Sequence, residues 1–187
     1  MRLIARIAQW SIVAIGVAGL ALVVFMAFAR RDHKVELIVT YPKSPPAAVW
    51  RLLTDHASEP QWLPAFGSVV RQADIGGREV WTHTSRDGAF VFNVMTVSVV
   101  PERRYERILL REGQPRSESW DGRWIYELEP VGGGTRLRIT EYGWSDGFAF
   151  YIAQRLLAEP AAFLRFYAQM VGRRLDDAPD IQILRSE

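Results

Sequence analysis

The sequence contains no cysteine. That absence removes disulfides, thiolate nucleophiles and cysteine-ligated zinc, and it leaves the redox compartment open. Histidine is scarce: His33, His56 and His83 are the whole set, and no two lie close enough in sequence to suggest a metal pair. The motifs of several other chemistries are missing as well. There is no phosphate-cradling G-x-x-x-x-G-K-[ST], no H-E-x-x-H and no G-x-S-x-G elbow. The Gly132–Gly134 run follows a proline and a valine and precedes a strand pattern, so it reads as a turn. With 187 residues the chain is too short for a full α/β barrel and has room for one ordinary domain with something attached. An excess of one charge is missing too. The formal net charge is +2, and Arg2 and Arg6 alone account for it, so the part from residue 30 onward is formally neutral. A nucleic-acid binder needs a basic face, and none is predicted. The cluster Arg103, Arg104, Arg107 and Arg111 is interleaved with Glu102, Glu106 and Glu112, which reads as a solvated strand face.

What is present is apolar. Hydrophobic residues make up 49% and aromatic residues 12%, enough for an ordered core. Residues 7–29 (IAQWSIVAIGVAGLALVVFMAFA) contain no charge. At ~1.5 Å per residue the run reaches ~34 Å, sufficient for a ~30 Å hydrocarbon layer with some tilt. Arg2 and Arg6 flank one end, Arg30, Arg31 and Lys34 the other. A cleaved signal peptide is the rival reading, since Ala27-Phe28-Ala29 fits a small-x-small cleavage site. The run exceeds the ~7–15 residues of a signal core, and two arginines would follow the cut, so an uncleaved single-pass membrane anchor is expected. The basic residues on its two sides nearly balance, which leaves the face of the following domain undecided.

Beyond residue 34 the pattern alternates between strands and helices. Residues 35–41 are β-rich and end at Pro42. Ser44-Pro45-Pro46 offers a helix start with Ser44 as cap, and Val49, Trp50 and Leu53 supply its apolar side. Asp55–Trp62 forms a second short helix, with Asp55 as a cap. Strands are predicted near 66–73, 78–84, 89–100, 105–111, 117–129 and 135–145. Asp87-Gly88 marks a hairpin turn, and a change of parity at Val97 and Val99 suggests a bulge. A turn at Val131–Gly134 pairs Glu129 with Arg136 and Glu127 with Arg138, and sets Trp124, Tyr126 and Leu128 opposite Glu141, Ile139 and Leu137. Parity also puts Trp81 and His83 on one face with Phe90, Phe92 and Val94. In 105–111, Ile108 and Leu110 take one face and Arg107 and Arg111 the other. Residues 161–177 carry an apolar stripe of Phe163, Leu164, Tyr167, Val171 and Leu175.

The stretches VELIVTYPKSPPAAVWRLLTDHASEPQW, GRWIYELEPVGGGTRLRITEYGW and FLRFYAQMVGRRL resemble the START-like, or helix-grip, superfamily (SRPBCC), especially its polyketide cyclase/dehydrase and lipid-transport branch. The resemblance covers about residues 34–178. It implies an α+β fold of β-α-α-β6-α order, a curved antiparallel sheet of about seven strands wrapped on a long C-terminal helix. It also implies a hydrophobic cavity between sheet and helix, used for lipids, sterols, polyketides or hormones, with no cofactor. Three segments follow: an anchor and its flank over 1–33, the ligand-binding domain over 34–178 and a tail over 179–187.

Candidate lining residues are Trp62, Trp81, His83, Phe92, Trp124, Tyr126, Glu141 and Tyr167. For the aromatic residues, ordinary core packing is the competing explanation. An inward Glu141 needs a partner or a raised pKa; it would orient a ligand hydroxyl, act as an acid or base, or simply bond a tryptophan or tyrosine. His83 would shuttle protons or be a satisfied structural residue. No catalytic residue or metal ligand set is assigned. Three functions remain open. The first is a membrane-tethered binder of a hydrophobic small molecule or lipid, with residues 148–158 as gate or lid. The second is a cyclase/dehydrase-like enzyme using Glu141 and His83. The third is an interaction domain whose interior is filled by side chains.

Overall fold

The computed structural model describes residues 10–11, 14–20, 32–110, 120–145 and 161–186. The chain forms two compact units, Met1–Arg31 and Asp32–Glu187. In the first, residues 10–11 and 14–20 are helical and exposed. Among the described residues no helix is long and apolar enough to cross a membrane, and most of the predicted span 7–29 lies outside them. The predicted lid, 148–158, also lies outside the described residues.

The second unit is α+β. Strand β1 (Asp32–Tyr41) is rich in β-branched residues, and its period-two pattern buries Val35, Leu37, Val39 and Tyr41 completely. Helix α1 (Pro46–Thr54) begins at two prolines whose fixed φ suits a first turn. The cap position belongs to Pro45 rather than to Ser44; the Ser44 hydroxyl instead donates to Asp177 Oδ2 at 2.8 Å. A 3-10 turn (His56–Ser58) follows, with Asp55 at its N-cap position but no side-chain cap bond, and runs into the short helix α2 (Glu59–Trp62). Next come β2 (Phe66–Arg71), β3 (Val80–Ser85), β4 (Val91–Val100), β5 (Arg104–Leu110), β6 (Trp120–Val131) and β7 (Gly134–Ser145), then helix α3 (Ala162–Leu175) and β8 (Asp180–Ser186).

All eight strands form one antiparallel sheet in the order β2-β3-β4-β5-β6-β7-β1-β8. The expected seven strands are therefore eight. Ile181 and Ile183 give the reason: they are separated by a polar residue and pair with Val39 and Leu37 of β1, turning the predicted tail into an edge strand. So short a run, with Leu184 half exposed, carries little period-two signal of its own.

The β6–β7 register is the predicted one, Glu129 opposite Arg136, Glu127 opposite Arg138 and Trp124 opposite Glu141. Its turn uses Gly132 and Gly133 at φ of 59° and 89°, the left-handed pair that a two-residue hairpin loop requires. The charged neighbours pair partly with other strands: Arg104 binds Glu127 at 2.8 Å and Arg138 binds Glu36 at 2.7 Å. In β3–β4, Trp81 faces Val94 and His83 faces Phe92, and the pairing of β4 with β5 slips between Thr96 and Ser98, where the bulge was expected.

Helix α3 lies against the sheet through Leu164, Tyr167, Ala168, Met170 and Val171. Phe163, expected in that stripe, is 47% exposed, because one residue before Leu164 means a rotation of ~100° around the helix. The Tyr41 hydroxyl donates to the Ala168 carbonyl at 2.9 Å and fixes α3 to β1. After α3, Asp176 takes a left-handed conformation (φ 52°), and the buried Asp177 accepts from the Lys43 amide and the Ser44 hydroxyl.

Candidate functional site

Glu59 opens α2, and His56 stands three residues before it, a spacing that brings the two side chains onto one side of a helical turn. His56 Nδ1 and Glu59 Oε1 are 2.7 Å apart. From β3, His83 Nε2 lies 3.0 Å from Glu59 Oε2, so one carboxylate bridges two imidazoles. From β5, Arg107 donates through Nη1 to Glu59 Oε1 at 3.3 Å and through Nη2 to the Tyr126 hydroxyl at 2.9 Å. On the far side of His56, Nε2 meets the Tyr105 hydroxyl at 2.5 Å, which also bonds Thr96 Oγ1 at 3.0 Å. The side chains of His56, Glu59 and His83 are 1%, 2% and 2% exposed, and Arg107 is 9% exposed. The network assigns the tautomers. Both histidines donate to the carboxylate, and His56 accepts at Nε2 from Tyr105.

Burial alone would raise the Glu59 pKa. The hydrogen bonds from His56 and His83 and the charge of Arg107 outweigh burial and hold it well below the usual carboxylate range. Burial pushes His56 down, against the pull of Glu59, and keeps it neutral. Burial opposes the Arg107 charge as well, but Tyr126 and Glu59 outweigh it and the guanidinium remains a cation. Burial also raises Tyr105 to about 12 and holds Tyr126 and Tyr167 as neutral hydroxyls. Glu59 and Arg107 are thus a buried anion and a buried cation in contact.

His56, Glu59 and His83 offer ligand atoms that all lie within 4.8 Å of one another, the donor set of a two-histidine, one-carboxylate metal centre. Arg107 argues against that use. Its guanidinium is 3.3 Å from both Glu59 Oε1 and His56 Nδ1, so a cation already compensates the carboxylate and would repel a second one.

A cavity of about 40 Å³ adjoins the cluster, with Glu59, Arg107, Trp124, Tyr126 and Phe163 in its wall. Of the predicted site residues, His83, Phe92, Trp124, Tyr126 and Tyr167 line it. Trp62 stacks at a tilt on Tyr167, with 5.8 Å between ring centroids, and donates to Ser58 Oγ. Trp81 meets the edge of His56 at 5.3 Å and lies under the Arg71 guanidinium. Glu141 is not in the wall. Its Oε2 accepts from Trp124 Nε1 at 2.8 Å and its Oε1 faces His33 Nε2 at 2.9 Å, so it holds an indole in place. The carboxylate beside His83 is thus Glu59, and the expected pairing of His83 with Glu141 is replaced.

The arginine cluster on β5 also needs correction. Arg107 points inward together with Tyr105 and Leu109, and Glu106 is buried between Arg104 and Arg123 on the other face. The strand alternates on both parities between charged and apolar residues, so periodicity alone could not choose the inner face. His56 and Glu59 carried a legible signal in their three-residue spacing, but only the sheet brings His83 and Arg107 to them.

Three residues of this cavity wall carry a buried polar atom with no hydrogen-bond partner among the described residues: His83 Nδ1, Arg107 Nε and the Tyr167 hydroxyl. An atom left unpaired in this way costs about 1–3 kcal/mol.

Residues 32–176 match the family described as polyketide cyclase/dehydrase and lipid transport. The chain belongs to this family. Solved structures share the fold. A START superfamily protein from Mycobacterium smegmatis is 15% identical, with a TM-score of 0.60 over 77% of this chain and 97% of its own. Truncated norcoclaurine synthase from Thalictrum flavum is 14% identical, with a TM-score of 0.58 over 77% and 93%. The di-domain ARO/CYC StfQ of the steffimycin biosynthetic pathway is 12% identical, with a TM-score of 0.53 over 76% and 52%. At these identities the likeness shows the fold alone. A search of the curated proteins finds no match.

Arg107→Met leaves Glu59 charged and uncompensated, and should destabilise the domain by about 3–5 kcal/mol in urea denaturation; adding Glu59→Gln should recover a large part. Stability should also fall with acid. His56 and Glu59 are both depressed in the folded state, so protons bind the unfolded chain first. The loss begins as pH drops below 6.5, the ordinary value for His56, and steepens below 4.5, that for Glu59. Glu59→Gln should remove the lower step, measured as the urea midpoint against pH.

Proposed function

We propose that the domain binds a small hydrophobic molecule between the sheet and α3, with the molecule's polar end at the Glu59–Arg107 cluster. One observation carries this reading: the aromatic and aliphatic wall of the cavity includes His83, Arg107 and Tyr167, each with a buried polar atom that has no partner among the described residues. Apolar walls supply affinity through buried area, at ~25 cal/mol/Å², and a few convergent polar groups fix orientation. The family contains both cyclases and carriers by its own description, which agrees with a site of this kind. The space of about 40 Å³ suits a guest's polar end and not its body. Entry therefore requires the wall to open, and Phe163, half exposed at the start of α3, is the wall residue with least packing to lose. The same small volume favours a second reading, an interaction domain whose filled interior serves stability.

Residues 7–29 complete the proposal as a single-pass membrane tether. A tether supports a role in which the guest comes from, or goes to, the bilayer, and it removes free diffusion as the means of transport.

Titration of the full chain with N-phenyl-1-naphthylamine, an uncharged apolar fluorophore, should show saturable uptake of one probe per chain, with faster entry in Phe163→Ala. Absent or unsaturable uptake would select the filled interior. For the tether, an alkaline carbonate wash should leave the full chain in the membrane fraction and release a version lacking residues 1–31. Release of both would remove the membrane from the proposal.

A further inference from the structure

The three unsatisfied atoms make different demands. With His83 Nε2–H donating to Glu59, Nδ1 of the neutral imidazole is an acceptor, and it has no partner among the described residues. Arg107 Nε–H can only donate, and the Tyr167 hydroxyl can do either. All three residues line the same cavity. A hydroxyl group carries both the donor and the acceptor that these three atoms call for. It gives its hydrogen to His83 and accepts from Arg107 and Tyr167. A ketone or ester carbonyl brings no proton for His83.

The charges narrow the hydroxyl further. Arg107 is a buried cation beside the guest's oxygen, and Glu59 is a buried anion behind His83. We propose that this subsite takes the acidic hydroxyl of a phenol or enol and holds it as the anion, with its proton on His83 Nδ1. The O–H bond breaks, its electron pair stays on oxygen, and the proton forms an N–H bond on the imidazole. Four charges then stand in two pairs, the guest oxyanion against Arg107 and the His83 cation against Glu59. Tyr167 supplies the second hydrogen bond to the oxyanion. An aliphatic alcohol is too weak an acid for the transfer. The titratable and charged groups that face His83 are Glu59 from α2, His56 from the 3-10 turn, Arg107 from β5, and Tyr126 and Tyr167 from β6 and α3. Only the last two are hydroxyls, and burial keeps both neutral.

This inference rests on the binding reading above, and its test separates the two. The full chain is titrated with 4-nitrophenol, whose phenolate has its own visible absorption band, and with nitrobenzene, which lacks the hydroxyl. At a pH where the free phenol is mostly neutral, the bound phenol should show the phenolate band, its ionised-to-neutral ratio raised at least about tenfold. His83→Gln should abolish the increase in the ionised fraction of the bound phenol. Tyr167→Phe removes one hydroxyl without changing shape, and should lower the ionised fraction several-fold; it gives an independent result if His83→Gln does not fold. A bound but neutral phenol, or ionisation unaffected by both variants, overturns the inference and leaves the binding reading standing. Failure of both probes to bind overturns both.

Discussion

Glu59 holds a negative charge where water does not reach it, and the interior is organised around that fact. A carboxylate in such a place needs donors on both oxygens and a cation nearby. Four elements supply them: the 3-10 turn through His56, β3 through His83, β5 through Arg107 and, behind Arg107, β6 through Tyr126. The network therefore fixes how α2 sits on the sheet as firmly as the apolar contacts of Leu53, Trp62 and Leu63 do. It also leaves a remainder. Once Glu59 has taken one nitrogen from His83 and one from Arg107, and Tyr126 another from Arg107, His83 Nδ1 and Arg107 Nε are left without a partner among the described residues, and both side chains line a small cavity with Tyr167.

That remainder is what makes the site chemically specific. Folds of this kind host carriers and enzymes alike, so the architecture does not choose between them. The choice lies in the polar groups of the cavity wall. Here His83, Arg107 and Tyr167 each have one polar atom without a partner among the described residues, set among aromatic side chains. The arrangement sets a carboxylate-held histidine beside a buried arginine. It differs from the Glu141–His83 pair that the sequence suggested, because Glu141 is spent on Trp124 and His33. Glu141 then acts on the cavity indirectly, by orienting an indole that forms part of its wall.

Much of the fold was legible in the residues themselves. The β6–β7 hairpin declared its register through two opposite-charge pairs and a glycine turn, and β1 through a strict alternation of Val35, Leu37, Val39 and Tyr41. Helix α3 declared its buried face, apart from Phe163 at its first turn. The β4 bulge was visible as a change of parity. β8 was not legible, because an edge strand of seven residues draws its definition from β1, its partner, and not from its own pattern.

The sequence by itself determined the order of elements from β1 to α3, the register of the β6–β7 hairpin and the aromatic character of the interior, since these follow from local periodicity, turn chemistry and neighbouring charges. Tertiary structure alone decided the site. Which parity of β5 faces inward depends on the strands beside it, and the meeting of His56, Glu59, His83 and Arg107 joins residues up to 51 positions apart. A buried charge is tolerated only where its partners converge in space, and that convergence is a property of the packed sheet, which no single segment encodes.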